Sequence, residues 1–246
     1  MSINNYSTAV VTGASSGIGE ATVHRLRALG LRVYAVARRE DRLQALTDKT
    51  GCIALPIDLR DTDRIYDQLE SIEADVVINN AGMGRGFDTL AEVSREEIDE
   101  VIGTNVVAAL HVVRAVLPGM ISRKRGHLVN IGSVAGLYPL FSSLYGSSKG
   151  AIHLLNQCLR LELKGTGVRS TEICPARVKT EFFQTALRDQ EKGAEMYEGF
   201  DILKSDDVAD AIEYAVCAPQ RVNISLIEMT STEQHIGGLS TEPVVR

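Results

Sequence analysis

Short apolar runs of strand length alternate along the chain with longer segments in which apolar residues return every three or four positions. The strand-like runs are Ala9-Val10-Val11, Val33 to Ala37, Cys52 to Ile57, Val76-Val77-Ile78, His127 to Ile131 and Val168 to Cys174, with Asn223 to Glu228 a seventh. Between them Ile65, Leu69 and Ile72 share one helical face with Asp and Gln opposite, as in a helix packed on a sheet. This alternation buries a parallel sheet under helices on both faces, so the pattern predicts an α/β fold: a Rossmann-type, doubly wound parallel sheet of about seven strands. No Pro/Gly/Ser-rich linker, charge block or repeat divides residues 1–246, which are expected to form one domain. Val106 to Leu117 and Ala151 to Leu163 carry more apolar surface than one sheet contact consumes. A subunit interface and deep burial in the monomer both account for that.

Charge and cysteine usage narrow the class. With 26 Lys+Arg against 32 Asp+Glu the formal net charge is −6, which excludes a basic surface for coating nucleic acid. Met1 to Ser7 lacks the cationic start and apolar run of a signal peptide, and a cytoplasmic location is expected. The most apolar stretch, Val106 to Leu117, is interrupted by His111 and Arg114 and stopped by Pro118. That is short of the roughly 20 residues of a membrane span, and none is expected. Cys52, Cys158, Cys174 and Cys217 form no C-x-x-C and the five histidines no close pair, which reads as reduced thiols and no metal site.

The first strand runs into Thr12-Gly13-Ala14-Ser15-Ser16-Gly17-Ile18-Gly19 and then a helical Glu20 to Leu29. A strand, a glycine turn and a helix start aim backbone N–H groups and a positive helix end at one point, which suits a pyrophosphate. The spacing is G-x-x-x-G-x-G rather than the commoner G-x-G-x-x-G. At the end of the second strand, where a carboxylate would accept the ribose hydroxyls of NAD, the residues are Ala37-Arg38-Arg39. Guanidinium groups there bind a 2′-phosphate through several donors at once, which selects NADP(H). A solvated pair neutralised by Glu40 and Asp41 is the bland alternative.

Tyr145-Gly146-Ser147-Ser148-Lys149 opens a helix, placing Tyr145 and Lys149 one turn apart on one face. An ammonium beside a phenol is expected to lower the phenol's pKa from about 10 and make Tyr145 a usable acid or base. Asn130-Ile131-Gly132-Ser133 ends a strand at the sheet edge where ligands bind, and the Ser133 hydroxyl can hold a substrate oxygen.

Taken in order, Thr12-Gly13-x-x-x-Gly17-x-Gly19, Asp58-Leu59, Asn79-Asn80-Ala81-Gly82, Thr104-Asn105-Val106, Ser133, Tyr145-x-x-x-Lys149 and Pro175-x-x-Val178-x-Thr180 resemble the short-chain dehydrogenase/reductase family over almost the whole chain. The resemblance implies Tyr145 as proton donor or acceptor, Lys149 as the group that tunes it and holds the nicotinamide ribose, Ser133 as the carbonyl-polarising hydroxyl, and Asn105 as holder of a relay water. It implies that Gly13, Ser15, Ser16, Gly17, Ile18, Gly19, Arg38, Arg39, Asp58, Leu59, Asn80, Ala81, Gly82, Pro175, Val178 and Thr180 meet NADP(H), together with Tyr145 and Lys149. It also implies a homotetramer. Three departures stand out: Ala176 where Gly is usual, Gly132 where Ser is more frequent, and no basic residue before Gly17.

Arg114 to Met120, Asn130 to Ser133 and Arg221 to Met229 further resemble the NADP-dependent 3-hydroxy acid (serine) dehydrogenases, to which sulfoacetaldehyde reductases are similar. Substrates of both carry an anionic end, so Ser133, Tyr145 and a cation are expected at the substrate, with Arg177, Arg85 and Arg188 as candidate cations. Lys179 to Phe200 lies where the family has its substrate loop. Two other classes compete. Gly146-x-Ser148-x-Gly150 followed by Asp201, Asp206 and His235 fits a hydrolase order, and a non-enzymatic NADP(H) sensor would keep the fold without the chemistry.

Overall fold

The computed structural model describes residues 6–85, 89–139, 142–235 and 241–243. Its strands are β1 (Thr8–Thr12), β2 (Arg32–Ala37), β3 (Ile53–Pro56), β4 (Val76–Asn79), β5 (Gly126–Ile131), β6 (Val168–Pro175), β7 (Val178–Lys179), β8 (Leu203–Lys204) and β9 (Leu226–Met229). Seven of them form one parallel sheet in the order β3-β2-β1-β4-β5-β6-β9, and β7 pairs with β8 separately. The helices are α1 (Gly17–Ala28), α2 (Glu40–Thr50), α3 (Thr62–Leu69), α4 (Arg95–Ile102), α5 (Ala108–Ser122), α6 (Val134–Leu137), α7 (Ser143–Glu162), α8 (Phe182–Leu187), α9 (Gln190–Glu195) and α10 (Ser205–Cys217).

All seven expected strands are present. The last begins at Leu226 rather than Asn223: the preceding residues run beside β6 through Ile224 O, which accepts from Thr171 Oγ1 at 2.7 Å, and Ser225 O, which accepts from Glu172 N at 3.0 Å. Successive residues of each strand enter opposite cores. Ala9, Val11, Val33 and Ala35 pack with Val23 and Leu26 of α1, Leu43 and Leu46 of α2 and Ile212 of α10. Val10, Val36 and Val77 pack with Ile65 and Leu69 of α3, Val112 and Val116 of α5 and Leu159 of α7. Burial on both faces is why these runs read as continuously apolar. The strand order turns back between β1 and β4, which opens a crevice at their carboxyl ends.

Helices α4 and α5 join through a π-helical turn, Gly103–Val107, into one helix from Arg95 to Ser122 that passes through Pro118. The apolar helix is therefore longer than the expected stop at Pro118 allowed, because buried Met120 holds its last turn against the core. By length and composition alone this helix would cross a membrane, but Ala108, Val112, Ala115 and Val116 are spent on the sheet. Val107 at the end of the π-helical turn, Leu110 on α5 and Leu154 and Leu161 on α7 remain exposed, Leu161 to 79%.

Asp75 fastens the edge of the sheet opposite the crevice. Its buried carboxylate accepts from Ser7 N at 2.8 Å, Ser7 Oγ at 2.9 Å, Thr8 N at 3.2 Å and Arg125 Nε at 2.9 Å, while its carbonyl takes His127 N at 2.8 Å. Asp75→Ala leaves these donors unpaired. It should lower the unfolding free energy in urea by about 2–4 kcal/mol while leaving cofactor affinity unchanged.

Candidate active site

The crevice is a cleft of about 440 Å³. At its floor Gly13 leaves β1 with φ +67°, and a Cβ there would stand 2.8 Å from Asn80 Nδ2 and 2.9 Å from Ala81 Cα. A Cβ on Gly19 would overlap the Gly13 carbonyl. These glycines let α1 start against the β4 loop, and Asn80 locks the joint by donating from Nδ2 to Thr12 O at 2.9 Å and Gly13 O at 3.3 Å. A dinucleotide pyrophosphate fits the cradle this makes, because the backbone can approach it at the helix start without side chains intervening.

Every catalytic, cofactor and substrate residue expected from the sequence lines this cleft except Gly19, Asn105 and the candidate cation Arg188. Arg39 reaches across the glycine turn, donating from Nε to Ser15 Oγ at 3.1 Å and from Nη2 to Ser16 Oγ at 2.7 Å. It thus supplies the cation missing before Gly17. Its Nη1 pairs with Glu181 Oε2 at 2.9 Å, and Arg42 Nη1 meets Glu181 Oε1 at 2.7 Å. The neutralising carboxylate is Glu181 from across the cleft, not Glu40 or Asp41 next door. Asp58 is chelated by Arg60 at 3.2 and 2.8 Å, and that bond holds its carboxyl below the usual range, with Arg38 adding to the effect. Arg42 and Arg60 escaped sequence reading, though each follows a named site residue by two or three positions.

At the other end, Ser142 caps α7 by accepting from Tyr145 N, so Tyr145 lies in the first turn and Lys149 one turn deeper. The Ser133 hydroxyl stands near that of Tyr145 and favours its charged form. Ser133 Oγ also caps α6, accepting from Ala135 N at 3.1 Å. Lys149 is buried, its Nζ donating to Ile131 O at 2.8 Å and lying 5.9 Å from the centre of the Tyr145 ring. This corrects the expectation of a lowered phenol pKa. Burial pushes Tyr145 up to about 12, with the Ser133 hydroxyl working against it, and pushes Lys149 down to about 8. The ammonium donates its hydrogen bond to a backbone carbonyl and not to the phenol, and Tyr145 holds its proton at neutral pH.

The π-helical turn aims Asn105 inward. Its Nδ2 donates to Met83 O at 2.9 Å and Ser148 Oγ at 3.0 Å, and its Oδ1 accepts from Met83 N at 2.8 Å. Asn105 Oδ1 and Lys149 Nζ both face Gly82. Ser148 is fully buried inside α7 and donates to Tyr145 O at 2.8 Å, so it is no strand-to-helix nucleophile and the hydrolase reading fails. Ala176 has no positive φ, and its N–H donates to Met229 O at 2.8 Å, so the usual Gly is not needed there. Gly132 is required: a Cβ would overlap Glu172 Oε1 and come within 2.9 Å of Cys174 Sγ.

The expected substrate loop forms α8 and α9, with β7 and β8 paired at its base. Phe182 brings its ring centre to 5.3 Å from that of Tyr145 and fills the space a side chain on Gly84 would need. Arg85 and Arg177 line the cleft, whereas Arg188, at the end of α8, is exposed and outside it. Arg85 donates to Thr185 O and Ala186 O; Arg177 donates from Nη1 to Met196 O at 3.0 Å and lies over the rings of Phe183 and Phe200.

A dinucleotide cradle closed at its far end by a half-buried tyrosine and a buried serine and lysine defines a nicotinamide-dependent dehydrogenase. The short chain dehydrogenase family model matches residues 7–191, and the chain belongs to that family. An uncharacterized short-chain type dehydrogenase/reductase, y4eK, of Sinorhizobium fredii is 35% identical over 245 residues, 99% of either chain. The NADP-dependent 3-hydroxy acid dehydrogenase YdfG of Salmonella typhi is 37% identical over 241 residues, covering 94% of this chain and 97% of its own. Among solved structures, the closed form of a serine dehydrogenase complexed with NADP+ superposes with a TM-score of 0.91 at 34% identity, covering 97% of this chain and 99% of its own.

Because burial depresses Lys149, its ammonium costs the folded state about 3 kcal/mol below pH 8, a cost that fades as pH rises from about 8 to the unfolded value of 10.5. Lys149→Met should therefore gain stability relative to wild type at pH 7 and lose that advantage by pH 10.5, while turnover collapses. Urea midpoints at the two pH values check this; a gap independent of pH contradicts it.

Proposed function

We propose that the protein is an NADP(H)-dependent oxidoreductase that interconverts a short-chain alcohol and its aldehyde or ketone, the substrate carrying an anionic end of the 3-hydroxy acid (serine) or sulfoacetaldehyde/isethionate type. The convergence of Tyr145, Ser133 and Lys149 at the end of the dinucleotide cleft carries this reading. The cofactor, when bound, supplies or accepts a hydride. Arg38 and Arg39, joined by Arg42, suit the 2′-phosphate, and Gly13 to Gly19 the pyrophosphate. Asp58 and Leu59 lie where the adenine is expected, Asn80 to Gly82 along the middle, and Pro175, Val178 and Thr180 at the nicotinamide.

In reduction, Ser133 donates a hydrogen bond to the carbonyl oxygen and Tyr145 O–H delivers the proton that the forming alkoxide requires. In oxidation, the Tyr145 phenolate takes the alcohol proton. Lys149 stabilises the phenolate by its charge and orients the ribose, and Asn105, facing Gly82 with it, holds a water that returns protons to Lys149. Phe182 excludes bulk water from the Tyr145 side of the cleft. Arg177, with Arg85 also lining the cleft, is assigned to the substrate anion, in keeping with the 3-hydroxy acid named for YdfG. Their present bonds to lid carbonyls, and the Phe182 ring at Tyr145, favour a neutral carbonyl as the second reading. The four free thiols support a cytoplasmic site, and the exposed apolar residues of α5 and α7 support a homotetramer.

Nicotinamide consumption with NADPH beside NADH, against sulfoacetaldehyde, malonic semialdehyde and neutral short carbonyls, tests the reading. NADPH with an anionic aldehyde supports it, neutral carbonyls alone favour the second reading, and NADPH binding with no turnover points to a sensor. Tyr145→Phe should lower kcat by about 10³-fold with cofactor affinity kept. Alanine at Arg38 and Arg39 should weaken NADPH by roughly 10–100-fold and NADH far less. Light scattering should give a tetramer that Leu154→Glu with Leu161→Glu dissociates; a monodisperse wild-type monomer overturns the assembly.

A further inference from the structure

The face of α7 that presents Tyr145 and Lys149 continues for two more turns with His153 and Gln157, each four residues on. His153 Nδ1 lies 2.7 Å from Glu172 Oε2, and its Nε2 lies 2.6 Å from the Gln157 amide. Glu172 projects from β6 with no exposure at all. Its second oxygen, Oε1, meets no N–H or O–H donor and lies against the Cys174 thiol in the space left by Gly132. Lys149 Nζ donates to the carbonyl of Ile131. Ammonium and carboxylate therefore touch the two residues of one peptide, Ile131-Gly132, immediately before Ser133. A carboxylate this deep with one hydrogen-bond donor requires compensating positive charge.

We propose that Glu172 is a positioning residue for the acid–base pair, its carboxylate acting across the Ile131-Gly132 peptide to keep Lys149 in the ammonium form. This rests on the reading of Tyr145 and Lys149 given above. Among the described residues, Lys149 has near it Tyr145 from α7, Glu172 and Cys174 from β6, Gly82 from the β4 loop and Asn105 from the π-helical turn, while His153 of α7 and the Ser133 hydroxyl after β5 face Glu172 and Ala135 N instead. On β9, Glu228 is bonded instead to Tyr138. Burial pushes Lys149 down, and Cys174 and Glu172 oppose it. Burial, with Glu172 beside it, also pushes the Cys174 thiol well up, so Cys174 is uncharged at neutral pH and Glu172 carries the compensation. Gly132 makes the contact possible. A serine there would displace the carboxylate from the peptide it shares with Lys149.

The test is the pH profile of kcat with NADPH and the best carbonyl of the panel, for wild type, Glu172→Gln and Glu172→Asp. Gln removes the charge and should move the alkaline limb, where Lys149 loses its proton, to lower pH by roughly one unit, while Asp leaves it in place. The pH at which the urea midpoint begins to rise should move down equally in Glu172→Gln, a readout that needs no activity. Profiles of Gln and wild type that coincide, or Gln and Asp variants that shift alike, overturn the proposal. Glu172→Met, of similar volume and no charge, replaces Gln if that variant does not fold. Tyr145→Phe separates the two readings: retained turnover sinks the acid–base assignment itself, whereas lost turnover with an unmoved Glu172→Gln profile sinks only the role of Glu172.

Discussion

An ammonium group held out of water at the carboxyl end of β5 is the constraint around which this molecule is arranged. Lys149 sits in a place that disfavours its charge, and the surroundings answer that in several ways at once. The end of the strand supplies a carbonyl, the neighbouring strand a carboxylate, and the missing side chain of Gly132 the room for both. The same burial that strains the lysine raises the tyrosine, so the site at neutral pH holds a proton on each group. Low dielectric is useful for the chemistry and expensive for the fold, and here the two effects fall on the same side chains.

Much of the architecture was legible in the order of residues because a sheet covered on both faces writes itself as apolar runs. Seven such runs became seven strands, and the glycine turn and Tyr145-x-x-x-Lys149 lay where strand ends and helix starts had to be. Local motifs were readable because their residues lie within a turn or two of each other. What escaped were partners far apart in sequence. Glu181 neutralises Arg39 and Arg42 from across the cleft, and Glu172 approaches Gly132 from the adjacent strand. The helix continues past Pro118, where the proline suggested a stop, because a proline near a helix end gives up only one backbone bond when the last turn is otherwise held in the core.

The electrostatic reading of the pair needed the fold. Spacing alone placed an ammonium one turn from a phenol and suggested attraction between them. The fold adds that desolvation weighs on both groups and that the ammonium is already bonded elsewhere, which reverses the sign for the tyrosine. Magnitude decides such cases, and desolvation of a buried group outweighs a neighbour whose charge is shared with backbone.

The short pairing of Val178 and Lys179 with Leu203 and Lys204 acts as a clasp. It ties together the two ends of the excursion that bears Phe182, Phe183, Tyr197 and Phe200, so the stretch from 180 to 202 leaves and rejoins the body at one point. Closing a longer or shorter excursion at such a clasp changes the loop entropy only slowly with length. Excursions of other lengths can thereby be closed at the same clasp without disturbing the cradle and the sheet beneath it.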